Sequence, residues 1–391
     1  MATTTKEITV NMGPQHPSTH GVLRLVLELD GERVHSCKPY VGYLHRGSEK
    51  LAEVKTYQQI VPLTDRFDYL SCGNNNLAYA IAVEKLMGIE VPARADYLRT
   101  IVAELSRISS HLLWLATHAA DIGAVTVLLY CLREREELLG LFEILTGARL
   151  TVSYVNIGGV RRDAPLEFIS RCREFIEGMP RRIDEYNTLI MENRIWLGRT
   201  KGIGIIPYEE AIDWGLTGGS LRGSGVNYDL RKAIPYAAYD RVEFDVPLGE
   251  KGDVYDRYII RIEEMRQSLR IITQCLKDLP GGAYKADIPT VSLPLKDKVM
   301  GDIESLIHQF VLVSKGFEVP KGEVYVGCEV PKGELGFYIV SDGSEKPWRM
   351  KVRSPSYVNL QVLPRMVKGH IIADIVSCIG SIDIVLGEVD R

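Results

Sequence analysis

The chain has 391 residues, with 47 basic and 51 acidic side chains and therefore a formal charge of −4. Hydrophobic residues make up 46% of it and charged residues 25%, which is the composition of a folded globular protein, and the near-neutral charge argues against nucleic acid as a partner. No uncharged apolar run reaches the roughly 18 residues of a membrane-spanning helix, and the first residues, MATTTKEITV, look like neither a secretory signal nor an import sequence.

The seven cysteines are too far apart in sequence to form a local metal or redox motif. The smallest separation, between Cys37 and Cys72, is 35 residues. Since there is no C-x-x-C pair, we expect this chain to bind no metal and no iron–sulfur cluster. We interpret the cysteines as small buried apolar residues of a protein from a reducing compartment.

The N-terminal part predicts antiparallel strands. Segments 7–10, 22–29 and 33–39 show the alternation of β-branched residues that is typical of strands. The turn Asp30-Gly31-Glu32 predicts a hairpin between the second and third of them.

Helical periodicity follows, with apolar residues at three- and four-residue steps and glycines where several segments end. The predicted helices are 74–88, 94–119, 126–146, 165–197 and 253–278. Residues 200–250 are rich in Gly, Pro and Tyr and predict long structured loops, whereas 322–363 alternates short β-like runs with Gly and Pro turns. A last helix is predicted near 364–379.

The order of these elements predicts an α+β protein, with a helical bundle core and β regions near the N- and C-termini. We divide the chain into an N-terminal β region over 1–72, a helical bundle with long loops over 73–320, and a C-terminal β region with a tail over 321–391.

Two histidines lie four residues apart in the loop GPQHPSTHG, residues 13–21. Its prolines and glycines constrain the loop, and histidine titrates near neutral pH, so His16 and His20 are candidates for delivering a proton to an acceptor. On spacing alone, the simpler interpretation is a turn whose histidines bind neighbouring backbone atoms.

Two further polar segments precede predicted helices. In YLHRGSEKLAE, residues 43–53, Arg46 could hold an anion or tune a redox centre by its charge, or it is an ordinary charge at a helix N-terminus. In DRFDYLSCGNNN, residues 65–76, Tyr69 combines an apolar ring with a hydroxyl donor, which suits a flat, partly polar ligand. The alternative for Tyr69 is a core tyrosine.

Asp121 is the candidate that physical chemistry favours most. It stands in THAADIGA, within the most apolar stretch of the chain, where an unpaired buried carboxylate costs several kcal/mol. It must therefore be neutral, paired or functional. His118, three residues earlier on the same helical face, is one partner within reach.

Together these segments resemble one family, the 49-kDa-type D subunits of bacterial complex I, the proton-pumping NADH:quinone oxidoreductase. The resemblance runs from about residue 8 to the last residue. It is carried by GPQHPSTHGVLR, GYLHRGSEKLAE, DRFDYLSC, ELSRISSHLLWLATHAADIGA, REREELLGLFEILTGAR, LRGSGVNYDLRK, FYIVSDGSEKPWRMKVRSPS and GSIDIVLGEVDR. It implies the fold of the large subunit of nickel–iron hydrogenases, from which the family descends.

The hydrogenase ancestor holds nickel through two C-x-x-C pairs. The matching positions here are Asp68 and Ser71 upstream, and Val385 and Glu388 near the C-terminus, so the thiolates are missing. This argues against a working hydrogenase. A nickel-free hydrogenase-like scaffold with a vestigial site remains as an alternative.

What the resemblance implies is a quinone-reduction site where the metal used to be. His20 and Tyr69 match the family residues that hold the quinone headgroup and donate protons to it, and His16 lies in the same loop. Asp121 matches the aspartate that orients and recharges the histidine. Arg46 matches an arginine near the terminal iron–sulfur cluster.

The resemblance also implies neighbours and a location. Electrons would come from a [4Fe-4S] cluster in the adjacent B subunit, and the C and I subunits and the membrane-embedded H subunit would be further partners. The chain would then lie peripherally on the cytoplasmic face of the bacterial cell membrane. A related complex fed by ferredoxin or another donor is the alternative to one fed by NADH.

One position departs from the family pattern. Many members have a histidine after G-A-R, near the terminal cluster, where TGARLTVSY has Thr151. A hydroxyl takes up no proton near neutral pH, so we expect a cluster potential that responds less to pH. A lower potential would suit a low-potential acceptor such as menaquinone.

Overall fold

The computed structural model describes residues 7–19 and 21–391, and these form an α+β fold. Within those ranges the strands make three separate antiparallel sheets, with the orders β1-β2-β3, β4-β5 and β6-β7-β8. The strands are β1 (Glu7–Met12), β2 (Arg24–Asp30), β3 (Arg33–Tyr40), β4 (Val155–Asn156), β5 (Gly159–Val160), β6 (Gly322–Val330), β7 (Gly333–Ser341) and β8 (Arg349–Arg353).

Helices occupy most of the chain between the first and third sheets and also its C-terminal end. They are α1 (Ser48–Ala52), α2 (Tyr57–Thr64), α3 (Cys72–Met87), α4 (Ala93–Asp121), α5 (Val125–Thr146), α6 (Leu166–Ile190), α7 (Arg194–Thr200), α8 (Tyr208–Asp213), α9 (Gly219–Arg222), α10 (Leu230–Ala233), α11 (Val254–Lys277), α12 (Lys296–Gly301), α13 (Ile303–Ser314), α14 (Pro355–Leu360), α15 (Leu363–Val367), α16 (Ile372–Ile382) and α17 (Leu386–Asp390). Among the residues described, no helix is both long enough and apolar enough to cross a bilayer.

The N-terminal sheet confirms the three predicted strands and their hairpin. Glu7 pairs with Asp30, and Met12 pairs with Leu25. In β2, the side chains of Leu25, Leu27 and Leu29 point to one buried face, as the alternating pattern requires.

The long bundle helices also lie where the periodicity predicts them, except at one place. α3 and α5 end at Gly88 and Gly147, both in the left-handed conformation that glycine adopts without strain. The single helix predicted over 165–197 is wrong, because α6 ends at Ile190 and a new helix begins. The Asn193 side chain accepts hydrogen bonds from the amides of the new first turn, and this local cap starts α7 as a separate helix.

The sequence pattern missed several short helices. α2 is only eight residues long and contains Pro62, so its periodicity is weak. It begins with a capping box, in which Thr56 and Gln59 satisfy each other's backbone amides. The predicted loops over 200–250 contain α8, α9 and α10, which are too short for a helical period to show.

Three clusters of buried apolar side chains hold the molecule together. The first lies among the bundle helices. The second joins the N-terminal sheet to the segment around Ile206 and to α15 and α16. The third joins α2 and α3 to the C-terminal sheet. Both outer sheets are thus attached to helices of the central part, and the three-part division of the chain stays a prediction.

α16 packs so closely on α4 that one glycine has no room for a side chain. A Cβ atom on Gly380 would overlap the ring of His118. The Trp114 indole donates a hydrogen bond to the Gly380 carbonyl at 2.6 Å, and the rings of Trp114 and His118 stack with centroids 5.6 Å apart.

We expect Gly380→Ala to destabilise the protein by about 1–3 kcal/mol, because the added methyl group must displace a packed ring. Gly140 in α5 is the matched control, since no atom lies within 4 Å of its Cβ position. Gly140→Ala should be neutral or slightly stabilising. The thermal stability of the assembled complex carrying each variant measures the difference, and equal stability would contradict the close packing.

Candidate functional site

The turn between α2 and α3, which carries Tyr69, is held in place by asparagine side chains. Asn75 Nδ2 donates to the carbonyls of Thr64 at 3.0 Å and Asp68 at 2.9 Å. Asn74 Nδ2 donates to Ser71 Oγ at 2.8 Å. These asparagines are buried, so breaking one of these hydrogen bonds would leave an unpaired polar group, and the bonds therefore restrain the turn.

Tyr69 lies in this turn, and 42% of its surface is exposed. Its neighbour Phe67 points the other way and is buried against Phe337, with ring centroids 6.2 Å apart. Partial burial and the charge of Asp68 raise the pKa of Tyr69. The hydroxyl is therefore protonated at neutral pH and can donate a hydrogen bond to a ligand carbonyl.

The C-terminal tail packs directly on the back of this turn. A Cβ atom on Gly387 of α17 would lie 2.7 Å from the Phe67 carbonyl oxygen. Arg46 Nη2 donates to the carbonyls of Arg66 and Gly387, each at 2.8 Å. Arg46 thus joins the turn to the tail.

A buried lysine stands at the centre of this arrangement. Lys332 lies in the turn between β6 and β7 and is only 1% exposed. Its Nζ lies 3.3 Å from Asp68 Oδ2 and 3.4 Å from Asp383 Oδ2, and it donates to Ser110 Oγ at 2.7 Å. Burial by itself would lower the pKa of Lys332, but Asp383, Asp68 and Glu388 outweigh it and raise the pKa, so the ammonium is charged.

Glu388 lies in the same cluster and is completely buried. Its Oε2 accepts from the Ser356 amide at 3.2 Å and from the Ser356 hydroxyl. Burial, and next the charge of Asp68, raise the pKa of Glu388 to about 7. In the part of the chain that the structure describes, no set of three His, Cys, Asp or Glu residues is arranged to hold a metal ion.

The histidine loop reaches this region through its C-terminal end. A Cβ atom on Gly21 would lie 3.3 Å from Leu386 Cδ1 of α17. His16 is exposed, and it accepts from the Ser18 amide on Nδ1 at 3.2 Å and from the Thr19 hydroxyl on its carbonyl at 2.8 Å. The first of these contacts, between the His16 ring and the Ser18 amide, is of the kind that the simpler interpretation predicts. His20 lies outside the described residues.

Asp121 is the last residue of α4 and is half-buried, whereas His118 one turn earlier is fully buried. The His118 ring packs between Trp114 and Trp196. Asp121 lies eleven residues along α4 from Ser110, which is about 16 Å at the helical rise. The C-terminal part of α4 therefore connects Ser110, which binds Lys332, to Asp121.

Thr151 lies in the connection between α5 and β4 and is exposed, with φ of 37°. A positive φ strains a β-branched residue. Two residues later, Ser153 donates a hydrogen bond to the buried carboxylate of Asp65, at the start of the Tyr69 turn. This hydrogen bond joins the segment that contains Thr151 to the turn that carries Tyr69.

Sequence reasoning gave no role to Lys332, and it named the buried Asp68 and Glu388 only because they match a metal-binding pattern. Lys332 stands in an E-V-P-K-G-E hairpin turn, a place where a lysine is ordinarily exposed. The only local signals were the three consecutive asparagines after Ser71 and the acidic residues of the apolar tail, such as Asp383.

The chain is similar in sequence to a known family and to several known proteins. Residues 121–391 match the family described as the 49-kDa subunit of the respiratory-chain NADH dehydrogenase. The NADH-quinone oxidoreductase D subunit of Citrifermentans bemidjiense is 55% identical, over 98% of this chain and 99% of its own. The protein of the same name from Trichlorobacter lovleyi is 56% identical over 98% of both chains. The NADH-quinone oxidoreductase D subunit numbered 2 of Rhizobium meliloti is 55% identical over 100% of this chain and 97% of its own.

The raised pKa of Glu388 gives a spectroscopic prediction. As the pH rises through about 7, Glu388 should release its proton, and the infrared carbonyl band of a buried carboxylic acid should disappear. Between the ordinary pKa of glutamate and about pH 7, Glu388 holds a proton in the folded protein that it has lost in the unfolded chain. The contribution of Glu388 to the free energy of unfolding therefore falls as the pH rises through this range.

Glu388→Gln should abolish that band, while Glu136→Gln should leave it in place, because Arg149 lowers the pKa of the exposed Glu136. The measurement is an infrared pH titration of the assembled complex. A band that persists in Glu388→Gln would show that another group holds the proton.

Proposed function

Because the chain belongs to the family of the respiratory-chain NADH dehydrogenase 49-kDa subunit and is a subunit of an NADH-quinone oxidoreductase complex, we propose that it forms the quinone-reduction site of that complex. The observation that carries the proposal is the placement of Tyr69. A phenol that is 42% exposed stands on a turn fixed by buried asparagines, the C-terminal tail and Lys332. A rigid, partly exposed hydroxyl donor is what a quinone carbonyl requires.

Reduction of a quinone to a quinol takes two electrons and two protons. Tyr69 gives one proton to one carbonyl oxygen, and His20 gives the other to the opposite oxygen. His16 lies in the same loop as His20 and is the third residue that we assign to quinone binding. Donors held in position lower the barrier because their charge and orientation are already set when the oxygens become negative.

The electrons would come from a [4Fe-4S] cluster in the adjacent B subunit. Arg46 and Thr151 lie on segments attached to the Tyr69 turn, through the Arg66 carbonyl and through Asp65 respectively. They are therefore the residues of this chain that we assign to the side of the cluster. Arg46 carries a charge that favours an electron on a nearby centre, whereas Thr151 is uncharged.

The remaining neighbours in the proposal are the C and I subunits and the membrane-embedded H subunit. In that arrangement the chain is peripheral, on the cytoplasmic face of the cell membrane. Quinone enters from the lipid, and menaquinone is the candidate favoured by the uncharged Thr151. The site would then lie between this chain and its neighbours, which agrees with the exposure of Tyr69 in the isolated chain.

The proposal includes a hydrogenase-like origin for the site. The turn with Asp68 and Ser71 and the tail with Val385 and Glu388 match the two C-x-x-C pairs of the ancestor. A Cβ atom on Gly387 would meet the Phe67 carbonyl, so these two segments pack against each other. Such packing supports a quinone site at the former metal position.

Tyr69→Phe removes one hydroxyl and keeps the packing of the ring. We expect the complex to assemble normally and quinone reduction to fall on the order of 100-fold, since a donor to the developing oxyanion is lost. Turnover of purified complex with its native quinone is the measurement. Tyr208→Phe, at an exposed tyrosine of α8, is the control and should keep full activity. Unchanged turnover in Tyr69→Phe would remove Tyr69 from the site.

Asp121→Asn keeps the shape of the side chain and removes its charge. In the proposal, the Asp121 carboxylate stabilises the imidazolium of His20, so its loss leaves His20 a poorer proton donor. We expect assembly, with quinone reduction or the protons pumped per quinone reduced lowered about tenfold or more. Both are measured in reconstituted vesicles.

Asp213→Asn is the matched control, because Asp213 is also the last residue of its helix, α8, but is exposed. It should behave as wild type. Wild-type reduction and pumping in Asp121→Asn would leave Asp121 a structural residue at the end of α4.

A further inference from the structure

We propose that Lys332 is a positioning residue for quinone reduction, whose ammonium group fixes the turn carrying Tyr69 and places a positive charge behind the tyrosine. The inference rests on the proposed role of Tyr69. It adds a residue that does not touch the quinone and acts through the one that does. Neither the motifs around the turn nor the comparisons assign this lysine a role.

The backbone around Lys332 is held unusually closely for a hairpin turn. Asn359 Nδ2 donates to the Lys332 carbonyl at 3.0 Å. A Cβ atom on Gly218 would lie only 2.5 Å from the Cα of Gly333, so the two chain segments touch where both are glycine. The turn thus lies against the rest of the protein, and the Lys332 side chain is buried there instead of extending into water.

The ammonium group ends between three parts of the chain that are distant in sequence. Asp68 belongs to the Tyr69 turn, Asp383 begins the C-terminal tail, and Ser110 lies on α4. All three are buried together with Lys332. A buried cation between two carboxylates resists any separation of them, because each would be left as an unpaired charge. The position of Asp68 therefore restrains the adjacent Tyr69.

The charge of Lys332 has a second effect. Asp68, Asp383 and Glu388 all face this one ammonium, and Arg261 reaches Asp383 only at 3.9 Å. Burial and Asp68 raise the pKa of Tyr69, and Lys332 is the group that opposes them. A phenol that must give its proton to a quinone oxygen is a better acid with the cation behind it than without it.

The test compares Lys332→Met, which keeps the length of the side chain and loses the charge, with Lys332→Arg, which keeps the charge. Lys321→Met, at an exposed lysine immediately before β6, is the control. Each variant is studied as the assembled complex. NADH oxidation by an artificial acceptor that takes electrons before the quinone site reports whether the rest of the complex is intact.

We expect Lys332→Met to keep that upstream activity and to lose about tenfold or more in kcat for quinone reduction, with KM within about twofold of wild type. Lys332→Arg should recover most of the rate. If Lys332→Met fails to assemble, Lys332→Gln removes the charge while retaining a hydrogen-bond donor for Asp68, and the same loss of kcat is expected of it.

A more acidic phenol provides the decisive measurement. When 3,5-difluorotyrosine replaces Tyr69 in Lys332→Met or Lys332→Gln, the charge-loss variants, kcat should rise about threefold or more over the same variant with ordinary tyrosine. The reason is that the fluorines lower the phenol pKa, which Lys332 no longer lowers. A purely mechanical role of Lys332 would give no such rescue.

Wild-type kcat in an assembled charge-loss variant, an equal loss in Lys321→Met, or no rescue by the fluorinated tyrosine would each overturn the inference. If Tyr69→Phe itself keeps full turnover, the proposed function fails first. If Tyr69→Phe is slow while Lys332→Met is not, only the role of Lys332 fails.

Discussion

The candidate site depends on the buried ion pairs that one lysine forms with two aspartates. Asp68, Lys332 and Asp383 come from three different segments of the chain, and they are brought together only in the folded protein. Each charge is buried, so none is satisfied unless the other segments are in place. The Tyr69 turn, the C-terminal hairpin and the tail must therefore assemble together.

The hairpin that presents Lys332 is itself fixed by a second buried ionic network. Glu329, three residues before Lys332, binds Arg222 Nη1 at 2.7 Å, and the other side of Arg222 binds Glu264 of α11. Glu264 in turn lies 2.8 Å from His111 on α4. Buried ion pairs contribute little net stability, but they penalise every arrangement that separates them. We interpret this network as the reason that a sheet on the outside of the bundle holds its turn in one position.

The arrangement explains how a site can be both exposed and rigid. Tyr69 faces outward, but everything behind it is buried, paired and drawn from several elements. This division suits the proposed site, in which the exposed face of Tyr69 binds the ligand while the buried groups behind it hold it in position. Two buried carboxylates, Asp68 and Glu388, affect the charge and the proton occupancy behind the tyrosine.

Local patterns in the sequence were sufficient for most of the architecture. The N-terminal hairpin, the glycine ends of α3 and α5 and the α+β class all follow from residues close to one another in the chain. The motifs, with Asp68 and Glu388 in place of cysteines, also led to the family and to Tyr69 and Asp121 as candidates. Each of these inferences depends on a period, a turn or a run of a few residues.

Tertiary structure decided what depends on distant partners. The half-burial of Asp121 and the raised pKa of Glu388 are set by packing and by charges from other segments. Lys332 is the clearest case. In sequence it is a charged residue in a hairpin turn, whereas in the structure the turn lies against Gly218 and the ammonium lies between Asp68 and Asp383. The burial of a charged side chain depends on partners that are distant in sequence, and for that reason no local sequence pattern predicts the burial of Lys332.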